Sequence, residues 1–372
     1  MVASLDSELT VGVDIREWRR GTSTGIGRVL TSYLSWAAKH TAHHHVLVGN
    51  EQSEVRADGD FTVCRYAEGN TLFGDHFVLA RAMKRAAADA LWSTYYKALI
   101  LCPCPAVITI HDVIPFVART GALEVGAPGT AVRRTWMKLL AHRASRVVTD
   151  SVNSKQDLTS VLRVSDDKIA VIPVGLDIGA SDSPATDAAI ERARGRYRLP
   201  SSYLLYLGRF DPHKNVETLV EAWDLVPSAL RARYPLVLAG GGGERFGGVG
   251  DHVHVAGFID DEDLAAVYSA ARAFAFPSCY EGFGLPPLEV MAHGIPVVCS
   301  NVASLPEVTG GAALLVDPTN VAAWADALER ILTDEPLRKG AIDSGLERAG
   351  EFHPDRTAPL LAELLERTAR RT

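Results

Sequence analysis

The sequence predicts an α/β protein of two Rossmann-like, doubly wound parallel-sheet domains. Three observations predict it. Short apolar runs alternate with longer amphipathic ones along the chain, which is the mark of βαβ units. The 372 residues exceed what one hydrophobic core usually organises. A polar, proline-containing stretch at 177–200, with Ser181-Asp182-Ser183-Pro184-Ala185-Thr186-Asp187 inside it, interrupts the alternation and reads as a linker. The expected domains are 1–178 and 200–352, with a C-terminal helix at 353–372 that crosses back to the first domain.

In the first half the periodicity predicts strands near 10–14, 45–48, 61–65, 90–92, 106–110, 146–150 and 169–172, and helices near 27–39, 77–87, 129–144 and 154–162. In the second half, strands are expected near 203–207, 235–239, 253–256, 273–276, 296–299 and 313–315. Helices alternate with them at 216–225, 264–271, 287–292 and 321–332, the last placing Trp324 and Leu328 in the core. Open parallel sheets bind ligands beyond the carboxyl ends of their strands, so the cleft between two such domains is the expected site.

Composition is that of a globular protein, 47% apolar and 22% charged. The net charge of −7 argues against nucleic acid as a partner. No apolar run is long enough to span a bilayer; the best, at 98–110, is broken by Pro103 and Pro105. The N-terminus lacks a basic-then-apolar signal pattern, and five cysteines without repeated metal spacing suit free thiols in a reducing cytoplasm. Residues 1–178 carry 20 Lys/Arg against 18 Asp/Glu, and the remainder 18 against 27. The basic clusters Arg81, Lys84, Arg85 and Arg133, Arg134, Lys138, Arg143, Arg146 are solvated helix faces or a face for an anionic membrane or acceptor.

Four places put polar residues just after a predicted strand. Gly25-Ile26-Gly27-Arg28 opens a helix whose apolar face is Val29, Leu30, Tyr33 and Leu34; it is either a ligand-approach loop or a plain helix start. His111-Asp112 stands at a strand end, either facing a ligand or only organising its loop. Arg209 and Lys214 bracket a turn and are either a diphosphate pair or surface cations. The most informative place is Glu281-Gly282-Phe283-Gly284-Leu285-Pro286-Pro287-Leu288-Glu289, where a buried strand ends in a tight turn at a helix mouth. Prolines suit the first helical positions, where a missing N–H costs nothing, and the free amides of such a turn favour anions. Carboxylates on either side suit the hydroxyls of a sugar or ribose.

These motifs, with Ser151-Val152-Asn153-Ser154 and Val171-Ile172-Pro173-Val174-Gly175-Leu176-Asp177 between them, resemble the retaining glycosyltransferases of family 4, from about residue 11 to about 335. Val174 stands where the family often has Asn, and the first loop lacks a double glycine. The resemblance implies the GT-B fold of two Rossmann-like domains facing a central cleft, and transfer of a hexose from a nucleotide-diphosphate sugar. It implies that Arg209 and Lys214 bind the donor diphosphate, that Glu289 receives the ribose diol and that Glu281 faces the donor sugar. The amides of Phe283, Gly284 and Leu285 would touch sugar hydroxyls and the distal phosphate. Gly25 and Gly27 would let the first domain close over the phosphates, and His111 would lie beside the transferred sugar. It implies no cofactor and no metal, the cations and helix N-termini holding the leaving group.

The form of the 282–289 segment, with Ser300-Asn301 and Ser304-Leu305-Pro306-Glu307-Val308 after it, is similar to mannosyltransferase-like members and favours GDP-mannose as donor. The expected acceptor is a glycan, a lipid-linked glycan or a small natural product, met in the cytoplasm or peripherally at the inner face of the membrane through the first domain. Rival readings are a Rossmann oxidoreductase, a sugar-nucleotide epimerase of the same fold and a non-catalytic nucleotide-sugar-binding subunit. The first wants a third glycine where Leu30 stands.

Other features read as structural. Asp260-Asp261-Glu262-Asp263 precedes an apolar helix and reads as its acidic first turn. His43-His44-His45 reads as a solvent loop, and Cys102-Pro103-Cys104 as core or loop thiols. Gly240-Gly241-Gly242-Gly243 is either a pocket lining or a flexible turn.

Overall fold

Two parallel sheets organise the chain, each in its own unit. A computed structural model describes residues 8–18, 25–66, 72–94, 102–117, 129–176, 185–248 and 252–370. The first unit takes Met1–Phe116, Val125–Asp177 and Phe352–Thr372; the second takes Val117–Glu124 and Ile178–Glu351.

The first unit runs β1 (Thr10–Asp14), α1 (Gly25–His40), β2 (His44–Asn50), β3 (Thr62–Tyr66), α2 (Leu72–Arg85), β4 (Ala90–Ser93) and β5 (Ala106–Thr109). It continues with α3 (Thr130–Arg143), β6 (Arg146–Thr149), α4 (Val152–Leu162) and β7 (Ile169–Val171). The second unit runs α5 (Asp187–Tyr197), β8 (Tyr203–Leu207), α6 (Val216–Leu225), α7 (Ser228–Arg233), β9 (Leu236–Ala239), β10 (Val253–Gly257), α8 (Leu264–Ala270) and β11 (Ala271–Phe276). Then come α9 (Leu285–Ala292), β12 (Val297–Ser300), α10 (Leu305–Thr309), β13 (Leu314–Val316), α11 (Val321–Thr333) and α12 (Glu335–Gly350). The last helix, α13 (Pro354–Ala369), returns to the first unit.

The strand orders are β3-β2-β1-β4-β5-β6-β7 and β10-β9-β8-β11-β12-β13. Every pair is parallel, and both orders are doubly wound: the chain steps outward one way, then returns to build the other side. The crossover direction reverses between β1 and β4 in one sheet and between β8 and β11 in the other. Beyond the carboxyl ends of those strands the loops diverge and leave room for a ligand. The strands are apolar runs because helices cover both faces. In the first unit Val11, Val13 and Trp92 pack with Leu30 and Leu34 of α1 on one face. On the other, Val46, Val48 and Leu91 pack with Leu79 and Met83 of α2.

The predicted strands all form, with ends moved by one or two residues. The linker reading is corrected in part. Residues 177–184 lie outside the described residues, but Asp187–Tyr197 is helix α5, capped by the Thr186 hydroxyl, which accepts from the Ala189 amide. Ser, Pro and Asp at 181–187 suggest a loop, and the same residue types also start helices. The triple histidine is corrected too. His44 begins β2, and His43 and His45 are buried, so this is no solvent loop. α13 covers it, with Glu366 3.2 Å from His43 Nε2. Burial, then the charge of His43, pulls His45 down to about 4 and keeps it neutral. Trp324 and Leu328 are fully buried, as expected.

α13 packs its Leu361, Ala362 and Leu365 into the core shared by α1 and the sheet. Leu365→Ala should therefore lower the unfolding free energy by about 2–5 kcal/mol. Leu360→Ala, on the exposed side of the same helix, should change it by less than about 0.5 kcal/mol. Denaturant unfolding of the two variants checks the difference.

Candidate active site

In the second unit the predicted residues gather at the β8/β11 reversal. Lys214 follows β8 through a short 3-10 turn, Pro212–Lys214, and Glu281 follows β11. Their side chains meet, Lys214 Nζ lying 2.6 Å from Glu281 Oε1, with 16% and 10% of the side chains exposed. The ammonium also lies 5.2 Å from the centre of the Phe276 ring, a cation–π contact.

The two loops are fastened to each other. Asn215, at φ 55°, adopts the left-handed conformation that Asn tolerates better than most residues. Its Nδ2 donates to the carbonyls of Pro277 and Pro318, at 3.2 and 2.8 Å, and its Oδ1 accepts from the Thr218 hydroxyl. The Cys279 amide donates to the His213 carbonyl. Burial and then the Lys214 charge hold His213 below the ordinary histidine range. Arg209 differs from Lys214: its side chain is 80% exposed and paired with Asp211. Its carbonyl accepts from the Tyr206 hydroxyl at 2.6 Å. Burial, then the charges of Glu281 and Asp211, push that phenol upward, so it remains a donor.

Gly284, at φ 106°, forms the cap of α9, and the prolines 286 and 287 follow in the first turn. A β-carbon on Gly284 would stand 2.7 Å from Leu305 Cδ2, so the turn needs glycine for both conformation and space. Phe283 and Glu289 are largely buried, and Leu285 is the first residue of α9. The fully buried Ser304 hydroxyl bonds to the carbonyls of Glu281 and Phe283, at 3.0 and 2.7 Å. Gly240 lies against the other loop: a β-carbon there would fall 1.9 Å from the Gly208 carbonyl oxygen. Gly243 likewise packs on the Phe210 ring. The glycine run is thus a close backbone approach to the Gly208–Phe210 turn.

In the first unit, Gly25 and Gly27 form the first turn of α1. No described residue crowds the Gly25 Cβ position, and the Gly27 carbonyl accepts from Trp18 Nε1 and Thr31 Oγ1. Residues 22–24 of that loop lie outside the described residues. Asp14, the last residue of β1, forms a buried pair with Arg16, and Ser93 at the end of β4 donates to Asp14 across the strand reversal. Burial alone would raise Asp14, but the Arg16 charge and hydrogen bonds hold it below the usual carboxylate range. His111, after β5, lies between Asp150 after β6 and the Thr94 carbonyl after β4. Ser154 donates to the His111 carbonyl, and the Ser151 hydroxyl caps α4 by accepting from the Ser154 amide.

The structure thus joins Lys214 with Glu281 and puts Phe283, Gly284, Leu285 and Glu289 on the following turn and helix. Arg209 stands on the same β8 loop but turns to Asp211, while His111, Gly25 and Gly27 belong to the other unit. Sequence reasoning missed Ser304 and Asp150. Asp150 had a signal, since it is the polar residue that ends a predicted strand. Ser304 had none, because only the folded turn brings it beneath the carbonyls of Glu281 and Phe283.

The acidic run at 260–263 is partly a helix start. Asp263 is buried against the Tyr197 hydroxyl and Arg196, and Asp260 also pairs with Arg196. Asp260, Glu262 and Asp263 lie close enough together to hold a cation, but the Arg196 guanidinium already pairs with all three.

Residues 23–179 match the family described as Glycosyltransferase Family 4, and residues 189–348 match Glycosyl transferases group 1. The chain is 38% identical over 220 residues to O-antigen chain mannosyltransferase B of Escherichia coli, across 56% of this chain and 57% of that one. It is 32% identical over 276 residues to the serotype-specific mannosyltransferase WbdA of Escherichia coli, across 70% of this chain and 33% of that one. The chain therefore spans about half of the first relative's length and a third of the second's. Sucrose-phosphate synthase from Thermosynechococcus elongatus superposes with a TM-score of 0.74 at 21% identity, covering 98% of this chain and 100% of that one. That likeness shows the GT-B fold. With two matched domains in this order and on this fold, the chain belongs to glycosyltransferase family 4.

Proposed function

We propose that this protein is a retaining, metal-independent glycosyltransferase that moves a hexose, mannose first among candidates, from a nucleotide-diphosphate sugar to an acceptor hydroxyl. The observation that carries the proposal is the Lys214–Glu281 pair at the strand reversal, on a loop fastened by Asn215 and Ser304. GDP-mannose is the favoured donor, a reading supported by two relatives named as mannosyltransferases. The acceptor is a glycan, a lipid-linked glycan or a small molecule.

Breaking a sugar–phosphate bond leaves positive charge at the anomeric carbon and negative charge on the departing diphosphate. In this proposal Lys214 and Arg209 neutralise the diphosphate. The amides of Phe283, Gly284 and Leu285 hold the distal phosphate and sugar hydroxyls. Glu289 receives the ribose diol, and Glu281 orients Lys214 and faces the sugar. Gly25 and Gly27 let the α1 turn approach the phosphates, and His111 serves the transferred sugar. The acceptor attacks from the face the phosphate leaves, with a leaving phosphate oxygen taking its proton. Two cations do here what a metal does elsewhere, so no cofactor is required.

The compartment proposed is the cytoplasm, with peripheral contact at the inner face of the membrane through the first unit. Five free thiols suit a reducing compartment. On α2, Phe77 and Val78 are exposed beside Arg81, Lys84 and Arg85, and on α3 Val132 is exposed beside Arg133 and Arg134. Apolar side chains among basic ones suit an anionic lipid surface. No described helix is long and apolar enough to cross a membrane.

Lys214→Ala and Glu289→Ala should each lower transfer about 100-fold or more, assayed with EDTA present, while circular dichroism stays that of a folded chain. Near-normal turnover in either variant, or a strict need for a divalent ion, would contradict the assignment. In thermal shift, GDP should raise the melting temperature more than UDP; stabilisation by NAD alone would favour an oxidoreductase, and no nucleotide effect a non-catalytic subunit. Vesicles rich in anionic lipid should sediment the protein where zwitterionic vesicles do not, and Arg81→Glu with Lys84→Glu should abolish that difference.

A further inference from the structure

His111 stands between two acceptors. Its Nδ1 lies 2.6 Å from Asp150 Oδ2, and its Nε2 lies 3.1 Å from the Thr94 carbonyl oxygen. A backbone carbonyl and an ionised carboxylate can only accept. A neutral imidazole has a single N–H, so it satisfies one contact and turns a lone pair on the oxygen of the other. The doubly protonated ring donates to both. The side chains are 16% exposed for His111 and 4% for Asp150, so water is a poor substitute for either partner.

Among the described residues, the charged groups bearing on the ring are Asp150, from the end of β6, and Asp112, its neighbour in the chain. Both are acids, and the β4 side is closed by the Thr94 carbonyl. Asp112 is turned to its own loop, with Oδ1 accepting from the Ile114 amide at 2.9 Å. Burial opposes the charge, yet the Asp150 charge and hydrogen bond, with Asp112 and Thr94, raise His111 above the ordinary histidine value. The Ser154 bond to the His111 carbonyl, at 3.1 Å, fixes the backbone beneath the ring.

We propose that Asp150 is a positioning residue that locks His111 as an imidazolium, so that His111 serves glycosyl transfer as a fixed cation rather than as a proton acceptor. The proposal rests on the transferase reading. In the reaction the anomeric carbon–phosphate bond breaks and a bond to the acceptor oxygen forms. The hydroxyl proton goes to the departing phosphate oxygen, and His111 keeps both of its protons. With both N–H groups held by Asp150 and Thr94, the ring acts through its charge, which suits a nearby oxygen that gathers negative charge. Because the folded value is raised, the support the pair gives the fold is complete below the unfolded histidine value of about 6.5 and is lost as pH rises through the raised one.

The test is ¹H–¹⁵N NMR of the histidine rings in the full chain, with His111 assigned by its loss in His111→Gln. Both ring nitrogens should carry protons at pH 7. Asp150→Asn should move the midpoint down by about one unit or more, a tenfold change in the ratio of charged to neutral ring. In transfer assays Asp150→Asn should lower kcat about tenfold or more with the donor KM within about threefold. The alkaline limb of its pH–rate profile should move to lower pH, and Asp150→Glu should recover part of both. A purely structural Asp150 would lower stability without moving that limb. A wild-type ring that is neutral at pH 7, which needs no variant to fold, overturns the proposal, as does an unmoved limb. If the wild type transfers from no nucleotide sugar, the transferase reading fails, and the NMR midpoint still judges the lock separately.

Discussion

Lys214 and Glu281 lie far apart in sequence and meet because β8 and β11 are neighbours in the sheet. The doubly wound order reverses between those strands, so the loops that follow them turn opposite ways and open beyond the sheet edge. Burying an ammonium and a carboxylate separately would cost several kcal/mol each, and pairing offsets that cost. The pair also aims Lys214 before any ligand arrives, so less ordering is left for binding. Arg209 is by contrast exposed, and among the described residues its guanidinium pairs with Asp211.

Rigid neighbours give that pair its meaning. Asn215 ties the β8 loop to the carbonyls of Pro277 and Pro318, Ser304 holds the carbonyls of Glu281 and Phe283, and Gly240 lets the β9 loop reach Gly208. None of these residues needs to touch a ligand. Each fixes a turn whose amides and side chains would, which is how a parallel sheet makes a precise site out of loops.

The first unit repeats the same physics with different residues. Its reversal is bridged by Ser93 and Asp14, and one strand further along, His111 is gripped by Asp150 and Thr94. The C-terminal helix α13 completes this unit by covering α1 and the buried His43 just before β2. An amphipathic helix at the end of the chain has an apolar stripe that must be buried, and the first sheet supplies the face.

Periodicity made the strands and most helices between them legible, because burial on both faces of a parallel sheet demands apolar runs and crossover helices demand a period near 3.6 residues; α7, α10 and α12 were not read from it. The turn chemistry of Gly284, Pro286 and Pro287, and the positions of Lys214, Glu281 and His111 after strands, were legible for the same local reasons. Composition misled at His43-His44-His45 and at 185–200, where α13 brings Glu366 against the buried His43 and a Thr186 cap starts a helix. Which polar residues meet could not be read locally. Asp150 reaching His111, Ser304 reaching under Glu281, and Lys214 reaching Glu281 all depend on strand order. The sequence determined the elements and the chemistry at their ends; the tertiary fold alone decided the pairings, since a hydrogen bond or ion pair depends on distances in space that a one-dimensional pattern does not contain.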